Sequence, residues 1–470
     1  MKQNILSSFI VSIFKDKRLD NRAHSLVSNM VQSESAVVNR IFSTFADKVG
    51  AYRMLNNKNT KKELIIQSMS TYCLENTTGD KHYLCLQDTT EINYEAHRER
   101  MSKGKGTPGL VSNNQIGCFL HPTLCIDAES LTPVGFTSVK VWSRDPDKPA
   151  TIDKAYKKLP IEQKESYRWV DAGKKAHKLM GNESLVTVIA DRESDIYNLI
   201  SDVPNAHTHI LIRSNQDRCL QAEGKLLKET MQESPVRHTY QIEITNEGRR
   251  KRTCLMELHY EKVTIKRPIG NKSKKSSVTL FCILTRESQE TVPVGETPIE
   301  WCLLTTHEVE TETQAMQCIG WYKCRWYIEE LFRVLKKDGF CIEDIQLESI
   351  SALHKLLLFA LQAALLVITL KLAYDKPDEE VPASIHFSKA QIALLAIFLR
   401  QVNGKTEKLT NPFKAESLPW ASWILARIGG WTGYKSQSIP GYTTFKTGLD
   451  KFYTVSNIYE NIEMKDVYKE

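Results

Sequence analysis

The sequence predicts an α/β protein whose strand-rich middle is flanked by helical regions, and three observations carry that prediction. Residues 1 to 70 show helical periodicity: Leu26, Val27, Met30 and Val31, then Val37, Val38, Ile41, Phe42 and Phe45. From about residue 71 short apolar runs take over, Tyr83 to Leu86, Gly117 to Ile126, Pro133 to Val141 and Leu185 to Ala190, and these read as strands. Nearer the C-terminus Leu356 to Leu370 is one apolar run of 15 residues containing Gln362, short for a membrane span and suited to a buried core helix.

The elements follow in order. The helical segment is broken by the turn cluster Asn56-Asn57-Lys58-Asn59. It reads as a small helical DNA-binding domain, residues 1–70, with Arg22, Arg40, Lys48 and Arg53 as candidate phosphate contacts and no recognition helix assigned. Between Asp191 and Glu329 lie 137 residues, more than one sheet edge and its connecting helix require, so an insertion is implied at about 215–315. Its alternating stretches, Thr239 to Thr245, Thr253 to Tyr260 and Val278 to Leu284, read as antiparallel strands joined by basic turns. The run Lys376-Pro377-Asp378-Glu379-Glu380-Val381-Pro382 reads as a linker. Beyond it, Ile392 to Leu399 and the segment Trp420, Trp423, Ile424, Ala426 and Ile428 before Gly429-Gly430 form a last helical domain. The expected division is 1–70, 71–373 and 374–470.

A chain of 470 residues has room for two or three domains with sizeable cores. Hydrophobic content of 41% and charged content of 25% are those of an ordinary globular protein, so neither lipid nor a disulfide scaffold is called for. Eleven cysteines with no Cys-x-x-Cys pair and no zinc-type Cys/His spacing point to reduced thiols in a cytoplasmic compartment. Met1 to Lys17 lacks the long apolar core and small-residue cleavage site of a secretion signal, and no membrane association is expected.

The net charge is +7, and its distribution says more than its size. Residues 1 to 70 carry eleven Lys/Arg against five Asp/Glu, and residues 249 to 275 carry ten against two. Two separate basic regions suit two contacts with a polyanion, although the second would also serve as solvated loops that happen to be basic.

Three carboxylates stand out. Asp88 closes Tyr83-Leu84-Cys85-Leu86-Gln87, and Asp191 closes Leu185-Val186-Thr187-Val188-Ile189-Ala190 and opens the charged turn Asp191-Arg192-Glu193-Ser194-Asp195. Carboxyl ends of central strands are where open α/β sheets place ligands, though either Asp alone could equally be an N-cap or turn residue. The third is Glu329, in Trp321 to Lys337, a stretch free of Gly and Pro that reads as one helix with Tyr322, Arg325, Glu329 and Lys336 on one face. By itself that pattern is commonly a surface ion pair. Three carboxylates converging from distant parts of the chain repel unless cations lie between them, and two magnesium ions suit such oxygen ligands; nothing in the sequence excludes manganese.

Together, Gln87-Asp88-Thr89-Thr90, Asp191-Arg192-Glu193-Ser194-Asp195-Ile196 and Tyr322-x2-Arg325-x3-Glu329-x6-Lys336 resemble the DDE cut-and-paste transposases of bacterial insertion sequences with the Tyr-Arg-Glu-Lys signature. Gly50-Ala51-Tyr52-Arg53, Arg213-Ser214, Trp301-Cys302-Leu303-Leu304-Thr305 and Ala426-Arg427-Ile428-Gly429-Gly430 extend the likeness, in the same order, to nearly full length. The resemblance implies a ribonuclease H-like catalytic core with a β-rich insertion and Asp88, Asp191 and Glu329 as catalytic metal ligands. It also implies Tyr322, Arg325 and Lys336 on the phosphate of the non-transferred strand, Arg213 as a further DNA contact, and Trp301 stacked where a base is displaced. The activity implied is transposition by 3′ nick, hairpin, hairpin opening and strand transfer, in a bacterial, nucleoid-associated homodimer formed through the C-terminal domain on two DNA ends. A ribonuclease H-like nuclease that never rejoins DNA, or a transposase-derived DNA-binding protein, remains the alternative.

Overall fold

The computed structural model describes residues 13–33, 35–102, 109–145, 159–222, 224–245, 251–336, 339–406, 409–434 and 438–467. In chain order, helices α1 (Lys17–Gln32), α2 (Val38–Ile41), α3 (Phe45–Asn56) and α4 (Lys62–Glu75) precede strands β1 (His82–Gln87) and β2 (Thr90–Asn93) and helix α5 (Arg98–Ser102). Then come β3 (Gly117–Asp127), β4 (Pro133–Trp142), α6 (Tyr167–Met180), β5 (Leu185–Ala190), α7 (Tyr197–Asp202), β6 (Thr208–Arg213) and α8 (Leu227–Glu233). Next are β7 (His238–Thr245), β8 (Lys251–Lys266), β9 (Ser277–Glu287), β10 (Glu300–Thr305), α9 (Glu312–Lys323) and α10 (Trp326–Leu335). Helices α11 (Ile350–Asp375), α12 (Lys389–Val402), α13 (Leu418–Ile428) and α14 (Tyr442–Val467) close the chain.

The chain forms two compact units: Met1–Thr77, Thr89–Lys148 and Tyr327–Glu470 make one, and Thr78–Asp88 and Pro149–Trp326 the other.

In the first unit α11 is the core, buried without interruption from Ala352 to Leu370. It is long and apolar enough to cross a membrane, but its apolar stretch is wholly enclosed by protein. Helices α1, α3, α4, α13 and α14 pack around it. The buried Lys355 of α11 donates from Nζ to the carbonyls of Leu55 (2.8 Å) and Asn57 (3.1 Å), satisfying acceptors that the end of α3 leaves open. Strands β2, β3 and β4 pair antiparallel, and α4 lies on β4. Gly135 of β4 makes that approach possible, because a Cβ there would sit 2.7 Å from Cys73 Cα. Leu26, Val27, Met30 and Val31 are buried as expected, whereas Phe45, read as part of the apolar face, is 81% exposed at the start of α3.

The second unit is built on a mixed sheet in the order β1-β5-β6-β10-β9-β8-β7. Strands β1, β5 and β6 run parallel, and β6 through β7 pair antiparallel. Parallel strands covered on both faces need continuous apolar runs, which is why Leu185–Ala190 was legible as a strand to the residue. Helix α6 packs on β1 and β5, and α9 on β6. The insertion strands occur where the alternation placed them, but β8 runs on to Lys266, paired with Ser277, because its outward positions accept polar residues such as Lys262, Thr264 and Lys266 while Val263 and Ile265 stay buried. Of the basic residues in this region, Arg249 and Arg250 lie outside the described residues. Arg252 forms an ion pair with the fully buried side chain of Glu287, one arm Nη2 to Oε2 at 3.1 Å. All eleven cysteines are free thiols.

Candidate active site

The register of the parallel strands builds the site. His82 through Leu86 of β1 lie opposite Leu185 through Ile189 of β5, and Val186 through Ala190 of β5 lie opposite Thr208 through Ile212 of β6. Strands β1 and β5 end one residue before their aspartate, so the same offset sets Asp88 beside Asp191 and Asp191 beside Arg213, the last residue of β6. Neighbouring strands are about 4.8 Å apart, so two carboxylates and a guanidinium stand in a row at the carboxyl ends of three strands.

Local structure separates Asp191 from the other acids of its turn. Asp191 caps the 3-10 turn Arg192–Ser194, its Oδ1 accepting from the Glu193 N–H at 2.9 Å. Glu193 pairs with Arg168 at 2.7 Å. Asp195 is buried against Arg218, whose Nε donates to Oδ1 at 2.8 Å, and its Oδ2 accepts the N–H groups of Asn215 and Gln216, both at 2.7 Å. Asp195 thus ties the exit of β5 to the exit of β6, and Asp191 is the carboxylate of this turn left to face the row.

Cations and aromatics close around the row within the same unit. Arg325 Nη1 lies 3.2 Å from Asp88 Oδ2, with both side chains under a fifth exposed. Arg213 Nη2 donates to the carbonyl of Glu300 at 2.9 Å; burial, then repulsion from Arg192 and Arg325, lowers its pKa below the ordinary guanidinium value. Tyr322 is buried, and burial pushes its hydroxyl up, opposed by the nearby Arg325 and Arg213. The Trp301 ring on β10 meets Tyr322 edge-on at 5.9 Å. Asp88, Asp191, Arg213, Trp301, Tyr322 and Arg325 are therefore gathered in one place.

Glu329 and Lys336 belong to the other unit, which begins at Tyr327. Glu329 is half-buried in the first turn of α10, where a helix favours an anion. Lys336 follows the last turn, its carbonyl accepting from the N–H groups of Gly339 (3.3 Å) and Cys341 (2.9 Å). Among the described residues no three His, Cys, Asp or Glu side chains are drawn together as a metal cage.

The expected single helix from Trp321 is two helices. Cys324 N–H bonds to the Trp321 carbonyl and Arg325 N–H to that of Tyr322, both at 3.0 Å, and these i to i−3 bonds tighten and end α9 before α10 begins at Trp326. Tyr322, Arg325, Glu329 and Lys336 are therefore not four positions of one helical face: Tyr322 is on α9, Arg325 in the joint, Glu329 on α10 and Lys336 beyond it. Lys337 lies outside the described residues.

Two features escaped the sequence reading. Arg192, quoted only as Asp191's neighbour, shares a cavity of about 410 Å³ with Arg213, Lys228 and Cys302. A histidine cluster lies under α9: Thr187 Oγ1 stands 2.7 Å from His82 Nε2 and 2.6 Å from His307 Nε2, and His209 stacks on His307 at 4.0 Å. These histidines come from β1, β6 and the turn after β10 with no common spacing, so no sequence pattern announces them.

Among solved structures the chain is similar to the piggyBac transposase in its synaptic complex with hairpin DNA, at 10% sequence identity and a TM-score of 0.34, covering 67% of this chain and 50% of that one. The chain thus spans about half the length of that solved protein. Residues 169–366 match the family described as Transposase DDE domain, a span that includes Asp191, Arg213, Trp301, Tyr322, Arg325, Glu329 and Lys336 but not Asp88.

Proposed function

We propose that the chain is a DNA transposase that moves an insertion sequence by cut-and-paste phosphoryl transfer, with Asp88, Asp191 and Glu329 as its catalytic carboxylates. The observation that carries this reading is the row Asp88-Asp191-Arg213 at the ends of three parallel strands, with Tyr322 and Arg325 against it. Two adjacent carboxylates flanked by guanidinium groups suit a substrate that brings phosphate and divalent cations together.

The row fits a hard cation by its donor chemistry, and DDE domains as a family use divalent metal. Asp88 and Asp191, with Glu329 as the third ligand, would hold two magnesium ions, for which manganese can substitute. Bound there, such ions would acidify the attacking hydroxyl and screen the charge building on phosphorus. The protein's own groups do the rest. Arg325 neutralises Asp88 and keeps the carboxylates from repelling each other before DNA arrives. Arg213, Arg325 and Lys336 bind phosphate by charge, and the Tyr322 hydroxyl donates to it. The half-buried Trp301 ring would offer a face on which a displaced base can stack, offsetting part of the few kcal/mol that unstacking costs.

The reaction sequence is a hydrolysis freeing a 3′ hydroxyl at the element's end, attack of that hydroxyl on the opposite strand to close a hairpin, hydrolysis of the hairpin, and attack on target DNA. Each transesterification exchanges one phosphodiester for another, so no external energy is needed. The helical C-terminal region, residues 374–470, would pair two copies on two ends, residues 1–70 would bind those ends, and the site of action is the bacterial cytoplasm.

Incubation of the protein and magnesium with labelled DNA carrying the flanking element ends should yield 3′ nicks, hairpins and strand-transfer products. Nicks alone would establish a nuclease instead. Asp191→Asn and Glu329→Gln should each abolish every product while end binding persists; products surviving either change would remove that residue from the catalytic set.

A further inference from the structure

We infer that the strand-rich unit carries a second DNA contact outside the carboxylate row: a groove of about 1150 Å³ that tracks the phosphate backbone of a duplex. The inference rests on reading the chain as DNA-acting, and it deepens that reading by joining the end of the basic stretch 249–275 to lysines from two other parts of the chain in one groove.

The groove draws lysines from three separate parts of the chain. Lys164 follows the turn Ile161–Gln163, Lys174 lies on α6, and Lys272, Lys274 and Lys275 lie on the turn between β8 and β9. Five lysines face two lining carboxylates, Glu162 and Asp202. Asp202 is occupied in holding the turn: the Ser201 (2.6 Å) and Ser273 (2.9 Å) hydroxyls donate to its Oδ1, and Asn198 Nδ2 donates to its Oδ2 (3.0 Å).

The turn is fastened from its backbone outward. Tyr197 donates its hydroxyl to the Lys275 carbonyl at 3.1 Å, Asn271 Nδ2 donates to Asn198 Oδ1 at 2.9 Å, and Arg267 Nη1 donates to the Ser273 carbonyl at 2.6 Å. Lys272, Lys274 and Lys275 nevertheless stay exposed and, among the described residues, form no ion pair. A rigid turn displaying unpaired charge is preorganised for a polyanion, since little side-chain freedom beyond the lysines themselves is lost on binding.

Chemistry and reach select the partner. Among the described residues the lining has no aromatic ring, so these residues offer single strands nothing to stack on. Lysines act as point charges and not as forks for base edges, so the contact is with phosphate and independent of sequence. Ile196 also lines the groove, five residues after Asp191. Five residues span at most about 17 Å, which is about five phosphate steps along one strand of B-DNA. The edge of the groove at Ile196 therefore lies within the length of one duplex seated at the carboxylate row.

The test measures binding of the full chain to a duplex of arbitrary sequence, by fluorescence anisotropy without divalent metal, across a series of KCl concentrations. Lys272→Gln, Lys274→Gln and Lys275→Gln combined should make the slope of log K against log salt shallower by about 2.7, since each phosphate contact contributes about 0.9. Extrapolated from 1 M salt, that is about eightfold in affinity per lysine at 0.1 M. The matched triple Lys81→Gln, Lys225→Gln and Arg237→Gln removes equal charge from exposed positions outside the groove and should leave the slope unchanged. An unaltered slope in the groove triple, or equal losses in both triples, overturns the groove. An equal loss for a single-stranded oligonucleotide overturns its assignment to duplex. Failure of the unmodified chain to bind any duplex would refute the DNA-acting reading itself, and the groove with it.

Discussion

Acid should loosen the helix that carries Tyr322, and His307 is the group through which it acts. His307 follows β10 and faces His209 of β6, Thr187 of β5, His82 of β1 and, on α9, Trp321, whose ring lies 5.1 Å away. Burial, with repulsion from His209 and His82, pushes the His307 imidazole down to about 3. Burial also lowers His209. Because the folded pKa lies below the ordinary value of 6.5, the unfolded chain binds a proton that the folded chain refuses between those two pH values. Stability is therefore complete above about pH 6.5 and is lost as pH falls from there toward 3. At about pH 4.5 the loss from this one group is roughly 2–3 kcal/mol, two pH units at 1.36 kcal/mol each. Urea unfolding of the unmodified protein and of His307→Gln at pH 7 and 4.5 measures it, since any intrinsic cost of the substitution cancels in the difference between the two pH values. The unmodified protein should lose roughly 2–3 kcal/mol more than the variant. Equal losses would show that the cluster takes up its proton without opening, and the coupling between acid and α9 would fail.

Other changes probe separate links. Arg218→Met leaves the buried Asp195 carboxylate with no cation and should cost about 3–5 kcal/mol, read as a lowered midpoint in denaturant; an unchanged midpoint would mean that Asp195 is satisfied by backbone alone. Gly448→Ala would place a Cβ 2.0 Å from the Leu425 carbonyl oxygen where α13 and α14 meet, and should destabilise by about 1–3 kcal/mol in the same assay. Tyr322→Phe removes a hydroxyl while keeping the ring against Trp301. It should weaken binding of cleaved ends about tenfold, the worth of one hydrogen bond to a charged group, with little change in melting temperature. Chelation by EDTA should abolish nicking, and added magnesium or manganese should restore it; nicking that persists in EDTA would remove metal from the mechanism.

The site was legible in the sequence to different depths. Asp88 and Asp191 could be found because each ends a run apolar enough to be a buried strand, and a strand's end is a local property. That they would be neighbours was not local. It depends on β1 and β5 pairing in parallel with one particular offset, which the hydrophobic pattern does not specify between two strands buried on both faces. Arg213 was a weak candidate in the sequence, and its place opposite Asp191 comes from the same kind of register one strand further on. The helix from Trp321 was overread because no Gly or Pro marks its break; the i to i−3 bonds at Cys324 and Arg325 are a choice of backbone geometry open to any residue. Phe45 was misplaced for a similar reason, since a single apolar residue at a helix start fits the period whether or not anything covers it.

By itself the sequence determined the secondary structure of its most apolar segments, the buried character of the long helix from Ile350, the positions of the two strand-ending aspartates and the basic regions, because these rest on local composition and spacing. Only the tertiary structure decided which of those residues meet. Register across β1, β5 and β6 made a row of Asp88, Asp191 and Arg213, and packing of α9 brought Tyr322, with Arg325 in the joint that follows, to that row beside Trp301 of β10. A turn pinned to α7 set Lys272, Lys274 and Lys275 beside lysines about a hundred positions earlier. The physical reason is the same in each case: a strand's hydrophobic pattern selects its faces, whereas its neighbour and its offset are selected by the whole sheet closing at once.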